Sequence, residues 1–205
     1  AHEKLQKDAE LKKLQKEQKS LRKKLEDQQK IEQQLEREIE RIIAEEAKKS
    51  AKPGKKGLAL TPEQKLAGEN FEQNKGRLPW PVERGIITEH FGINQHPVLA
   101  NVQTRNNGVN ITTEKGARAR AIFNGEVTRV FGITGGNSAV IIRHGKYLTV
   151  YSNLREVTVK MGDKVKTKQE IGTVFTDTDD SNKTILKFQV WLENQKLNPE
   201  QWIGR

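Results

Sequence analysis

Apolar residues recur at spacings of three and four over the first fifty positions and at spacings of two over much of the last hundred, with a break between the two regimes. Residues 5 to 47 contain neither Gly nor Pro and are dominated by Lys, Glu, Gln, Leu and Arg, the composition of a long exposed helix. A heptad can be laid on this stretch. Leu11, Gln18, Leu25, Glu32 and Ile39 share one seam position, and Leu14, Leu21, Gln28, Leu35 and Ile42 follow three residues after each. The seam is interrupted by Gln18, Gln28 and Glu32. Such a helix does not bury its stripe alone, so residues 1–47 read as a coiled coil that needs a partner helix, from a second chain or from an earlier segment of the same protein.

Between Lys48 and Leu60 the sequence KKSAKPGKKGLAL places Pro53, Gly54 and Gly57 among lysines, which ends the helix and reads as a linker. Thr61 before Pro62 and Glu63 is a helix N-cap with Pro at the first helical position, opening a short helix towards Asn74. Residues 48–77 are thus linker and short helix. From residue 78 to 205 short β-type runs are separated by turn signals: Asn124-Gly125, His144-Gly145, Gly162-Asp163 and Gly172. In TILKFQVWL, Leu186, Phe188 and Val190 alternate with Ile185, Lys187 and Gln189, so the first set faces a core and the second faces outward. Several short strands without a long helix between them predict an all-β sandwich or barrel-like domain.

The chain carries 33% apolar and 31% charged residues, too polar for one large core, which fits a compact domain plus a solvated rod. The absence of cysteine excludes disulfides, thiolate nucleophiles and cysteine metal sites. No apolar run reaches transmembrane length, and the start lacks the regions of a signal peptide, so the Ala1-His2 beginning reads as the edge of a longer protein. The net charge of +10 raises the question of nucleic acid, but much of it alternates in sign along the helix, which is a solvated surface with i,i+4 pairs. No nucleic-acid role is expected. An anionic polymer or an acidic protein suits the charge better.

Taken in order, the segments LPWPV (78–82), ITEHFG (87–92), HPVL (96–99), NNGVNI (106–111), RAIFNGEV (120–127), IIRHGKYLTVYSNL (141–154), VKMGDKV (159–165) and ILKFQVW (185–191) resemble the LytM or lysostaphin-like zinc endopeptidases, which cleave peptidoglycan cross-links. The resemblance implies a barrel-sandwich β domain over residues 78–205. An active member carries a His-x-x-x-Asp pair as two zinc ligands, a His-x-His strand, and a further His in a Tyr-x-His-Leu segment. Here the pair reads Asn106 and Asn110, the strand reads Ile185 and Lys187, and the last position reads Asn153. Neutral amides are poor zinc ligands, Ile has no donor, and a protonated Lys repels the cation. The resemblance therefore implies a degenerate domain with no catalytic residues, no metal and no cofactor. The remaining His2, His90, His96 and His144 read as exposed or turn histidines.

Coiled coil plus degenerate LytM domain resembles the EnvC-like murein hydrolase activators. In that branch the emptied groove binds a separate N-acetylmuramoyl-L-alanine amidase and relieves its autoinhibition, while a coiled coil longer than this one contacts the transporter FtsE-FtsX. The resemblance implies a periplasmic or cell-envelope location and a partner-binding groove formed by Asn106, Asn110, Asn153, Lys187 and Gln189. It also implies that a helical element outside the β domain occludes the groove, and the Pro62 to Asn74 helix is the expected occluder. Lys187 is expected to face solvent in the free protein and to pair with a partner carboxylate. Alternatives are a structural module that binds peptidoglycan strands, an endopeptidase using other ligands, and a biotinyl or lipoyl carrier suggested by VKMGDKV. The last lacks a modifiable Lys at a hairpin tip, since Lys160-Met161 runs straight into Gly162-Asp163.

Overall fold

The computed structural model describes residues 2–49, 60–96, 101–133 and 135–204, and within the first helix not the side chains of residues 2, 3, 43 and 46–49. The linker residues Pro53, Gly54 and Gly57 and the Pro97 to Leu99 part of HPVL lie outside these. Helix α1 (His2–Lys49) is continuous, as its Gly- and Pro-free sequence requires, and α2 (Pro62–Gln73) begins at Thr61. There the Thr61 hydroxyl accepts from Gln64 N at 3.2 Å while Gln64 Oε1 accepts from Thr61 N at 3.0 Å, a reciprocal capping box.

Among the described residues thirteen strands follow: β1 (Ile86–Glu89), β2 (Gly92–Gln95), β3 (Gln103–Asn106), β4 (Val109–Thr113), β5 (Arg118–Arg120), β6 (Gly125–Gly132), β7 (Ser138–His144), β8 (Tyr147–Val157), β9 (Lys164–Val165), β10 (Glu170–Val174), β11 (Thr176–Asp177), β12 (Lys183–Leu192) and β13 (Gln195–Leu197). The main sheet runs β1-β4-β12-β8-β7-β6-β9 and every pairing is antiparallel. β10 bridges β8 and β5, and β2 with β3 forms a separate ribbon. A long helix followed by a mostly β domain is what the hydrophobic patterning predicts.

The two faces of the sheet pack differently. One face turns Val109, Ile111, Val140, Ile142, Tyr151, Leu186, Phe188 and Val190 into the domain core. The other turns Ala139, Ile141, Leu148, Val150 and Trp191 outward, where Leu35, Ile39 and Ile42 of α1 cover them. Burial on both faces explains why β7 and β8 read as nearly unbroken apolar runs, AVII and YLTVY, where a half-exposed strand would alternate. Leu35, Ile39 and Ile42 are heptad-seam residues, and their cover is this sheet and not a second helix. Nearer the start of α1, Leu5, Leu11 and Leu14 stay 68%, 59% and 61% exposed, so the stripe is used only over its C-terminal part.

α2 packs on the core side. Phe71 is fully buried and stacks on His144 (4.7 Å) and Trp202 (5.0 Å), with Tyr147 and Phe123 beside it. The contact is close because Gly68 meets Gly145, a left-handed residue (φ +66°) at which a Cβ would lie 2.2 Å from the Gln64 carbonyl oxygen. The β domain thus draws part of its core from residues before position 78. His144 is not an exposed turn residue: it is fully buried, with Nδ1 at 2.7 Å from the Asn124 carbonyl oxygen and Nε2 at 2.9 Å from Thr149 Oγ1. The carbonyl fixes the proton on Nδ1, so Nε2 accepts from the Thr149 hydroxyl.

Two expectations follow from this core. Phe71→Ala removes a buried ring and should cost about 3–5 kcal/mol of unfolding free energy, read from urea denaturation of the full chain. Burial holds the His144 pKa down at about 4 from the ordinary 6.5. The unfolded chain therefore binds a proton near pH 6.5 that the folded protein refuses. Stability should be full above that pH and fall by about 3 kcal/mol as pH drops through 4, a slope that His144→Gln should lose.

Candidate partner-binding groove

The groove arises from register. Across β1, β4, β12 and β8 the pairings Glu89↔Asn110, Lys187↔Asn110 and Lys187↔Ser152 align four polar residues in one transverse row. Directly paired residues share a face. Leu186 and Phe188 point to the core, so Lys187 and Gln189 point to the opposite face, where α1 lies. Gly108 lets β4 close on β12, because a Cβ there would sit 2.1 Å from the Phe188 carbonyl oxygen.

Around this row nitrogen donors converge on two carboxylates. Glu89 Oε2 accepts from Asn110 Nδ2 at 2.5 Å and Oε1 from Thr104 Oγ1 at 3.2 Å. Glu32, from α1, accepts from Gln189 Nε2 at 2.9 Å and Asn107 Nδ2 at 3.3 Å, both at Oε2. The orientation of Gln189 is set from behind, since Trp191 Nε1 donates to its Oε1 at 2.9 Å and leaves the amide N–H to face Glu32. Lys187 feels the negative charge of both Glu32 and Glu89. Burial lowers its pKa, against the attraction of those two acids. Burial likewise raises that of Glu32, against Lys187 and the two amide donors. Lys187 is accordingly half-buried beneath α1 and does not face solvent as expected, because the helix roofs the row.

Asn106 is 5% exposed; its Oδ1 accepts from Gly108 N at 3.0 Å, and its Nδ2 has no hydrogen-bond partner. Asn153 behaves differently from the other four expected groove residues. It adopts a left-handed backbone (φ +67°), donates from Nδ2 to the Ile185 carbonyl oxygen at 2.7 Å, and accepts from Asn137 Nδ2 at 2.7 Å. Its side chain is engaged in holding a loop against β12. The geometry brings Asn110, Lys187 and Gln189 together, adds Asn107, Glu89 and Glu32, and gives Asn153 a structural part. The polar interruptions Gln28 and Glu32 of the heptad seam were the available sign that this stretch of helix lies over polar groups. Gln28, with Leu21 and Leu25, roofs a cavity of about 620 Å³ whose floor includes Asn110, Thr112 and Ile185.

The helix over the groove is α1. The expected occluder α2 sits on the core face of the sheet with Phe71, because its apolar side is spent on His144, Tyr147 and Trp202. Besides Glu32, α1 is tied down by ion pairs of Glu36 with Lys196 and of Glu45 with Arg129, and by Gln34 Nε2 donating to the Gly132 carbonyl oxygen at 3.0 Å. A zinc ion requires about three N, O or S ligands of suitable charge. Two asparagine amides and an ammonium do not fit it, and among the described residues no group of three or more His, Cys, Asp or Glu is placed to hold a metal.

Residues 104–199, just under half of the chain, match the family model of Peptidase family M23, and the β domain resembles the domains of that family. Its relatives include an uncharacterized metalloprotease of Buchnera aphidicola (29% identity; 56% of this chain, 30% of that protein). The murein hydrolase activator EnvC of Escherichia coli is 27% identical over 64% of this chain and 30% of its own length. The cell division protein DipM of Caulobacter vibrioides is 30% identical over 52% of this chain and 17% of its own. This chain thus spans less than a third of these relatives' lengths. Among solved structures, a zinc-containing peptidase from Vibrio cholerae superposes with a TM-score of 0.50 at 26% identity, over 64% of this chain and 41% of that one.

Asn153→Ala should lower stability by about 1–3 kcal/mol, by combining left-handed strain with the loss of two hydrogen bonds. Asn153→Gly should recover the strain part alone, which thermal melts of the two variants separate.

Proposed function

We propose that this chain is a non-catalytic activator of a cell-wall N-acetylmuramoyl-L-alanine amidase and binds it through the groove that α1 covers. The observation that carries the reading is the second face of the sheet. Ala139, Ile141, Leu148, Val150 and Trp191 form an apolar floor beside the Glu89-Asn110-Lys187 row, and a helix already lies on it. Left bare, such a floor is an interaction surface. The donor chemistry of the row suits hydrogen bonding and an acidic side chain and does not suit metal-assisted hydrolysis. Support also comes from the relatives, two of which are named for murein hydrolase activation and cell division. A location in the cell envelope goes with this function.

On this reading α1 and the amidase compete for one surface, and the free protein is held inactive. Activation is a population shift, so the amidase or a second signal must favour the undocked state by more than the docking free energy. The exposed Leu5, Leu11 and Leu14 stripe is the handle for such a signal. It suits pairing with another helix, and an envelope complex such as FtsE-FtsX is the partner proposed for it. A second reading, zinc endopeptidase activity, draws on the metalloprotease relative. Stoichiometric zinc in the purified protein together with digestion of cross-linked peptidoglycan in the absence of an amidase would establish it instead.

The test is dye release from labelled cell wall by a candidate amidase. Ile39→Glu places a charge in the α1 interface and should raise stimulation about tenfold or more over the parent chain. Lys187→Glu sets a third carboxylate against Glu32 and Glu89, so it should also loosen α1 and yet fail to stimulate. If the Ile39→Glu variant stimulates no amidase of its own genome, the activator reading is wrong.

A further inference from the structure

We infer that the floor of the groove is a carboxylate receptor, occupied in the resting protein by the Glu32 side chain of α1 and open, once α1 leaves, to a glutamate or aspartate on an acidic amphipathic helix of the partner. The inference rests on the reading of the groove as a protein-binding surface and deepens it by specifying what the partner must present.

The argument begins with what Glu32 does. A glutamate at a heptad-seam position weakens a coiled coil, but here the seam faces the β domain and Glu32 meets built donors. Gln189 Nε2 and Asn107 Nδ2 bond one carboxylate oxygen at 2.9 and 3.3 Å, and Lys187 supplies the opposite charge. Gln189 is itself 2% exposed and is locked in this orientation by the Trp191 indole N–H, so the receptor is organised by the β domain and not by the helix. In the same β domain the buried Nδ2 of Asn106 lacks a hydrogen-bond partner. When α1 departs, Gln189 and Asn107 lose their acceptor and Lys187 loses one of its two counter-charges. Orphaned donors and an under-compensated charge at a closed protein interface are costly, so any occupant that dries the groove must bring an acceptor of its own.

The rest of α1 describes the occupant. Glu36 and Glu45 reach Lys196 and Arg129, and Leu35, Ile39 and Ile42 lie between them on the Trp191 and Ile141 floor. The β domain therefore offers three cations bordering an apolar strip, and the complement is a helix with a carboxylate, an aliphatic residue three positions on and further aliphatics at helical spacing. A neutral or basic helix would satisfy the strip and leave the cations unpaired.

The inference is tested without any amidase, so its outcome is independent of whether an amidase is the partner. A fluorescein-labelled peptide of residues 25–45 of this chain is titrated against the full-length Ile39→Glu variant, with release of α1 verified by faster amide exchange over residues 31–42. The parent peptide should bind, and the same peptide carrying Glu32→Ala should bind about tenfold or more weakly, the loss typical of a charge-assisted hydrogen bond. In the otherwise unaltered chain, Glu32→Ala should speed α1 exchange by a similar factor, whereas Glu38→Ala, at a residue that pairs with Arg41 of the same helix, should not. Equal affinity of the two peptides would overturn the receptor, as would failure of the parent peptide to bind a chain whose α1 has been released. Displacement of the bound peptide by a soluble peptidoglycan stem peptide with free carboxylates would assign the site to the cell wall and overturn the helical occupant. Peptide-dependent loss of a dimer of the unaltered chain would assign it to a second copy.

Discussion

The contact between Trp191, Ile141 and Val150 on the outer face of the sheet and Leu35, Ile39 and Ile42 of α1 is the constraint on which the rest of the molecule depends. Strands β7, β8 and β12 carry apolar residues on both faces, and the domain proper supplies cover for only one. The helix is therefore part of the fold in the resting protein. Its cover comes from a few side chains, each worth about 2 kcal/mol on burial.

The same geometry explains why the row of polar residues is tolerated. Lys187 under a helix is an expensive residue unless its charge is offset, and the acids that attract it are Glu32 of α1 and Glu89 of β1. Asn110 donates to Glu89 and Gln189 to Glu32, and Trp191 fixes Gln189. A set of neutral and cationic donors that would expel a divalent metal is thereby well suited to anionic oxygen.

α1 carries two kinds of information along one stripe. Its C-terminal part reads the β domain through Glu32, Leu35, Glu36, Ile39 and Ile42, while its earlier leucines remain open. One continuous helix joins the two. α2, by contrast, is anchored on the core face through Phe71 and His144 and behaves as part of the domain.

Much of this was legible in the residues. The 3.6-residue periodicity with no Gly or Pro specified one long helix, and the capping sequence Thr61-Pro62-Glu63-Gln64 specified the start of the second. Alternation in TILKFQVWL correctly put Lys187 and Gln189 on the face opposite Phe188, because side-chain direction in a strand depends only on parity. What the heptad could not reveal was its partner: an apolar stripe is complementary to any apolar surface, and whether a helix or a sheet covers it depends on what the chain brings within reach. The near-continuous apolar runs of β7 and β8 held the clue that a second cover was required, but not that α1 provided it. Which donors meet Glu32, and that Asn153 serves a loop while Asn107 serves the groove, was decided by tertiary register. Hydrogen bonds depend on distances of a few tenths of an ångström between residues up to 157 positions apart, and sequence order does not encode such distances locally.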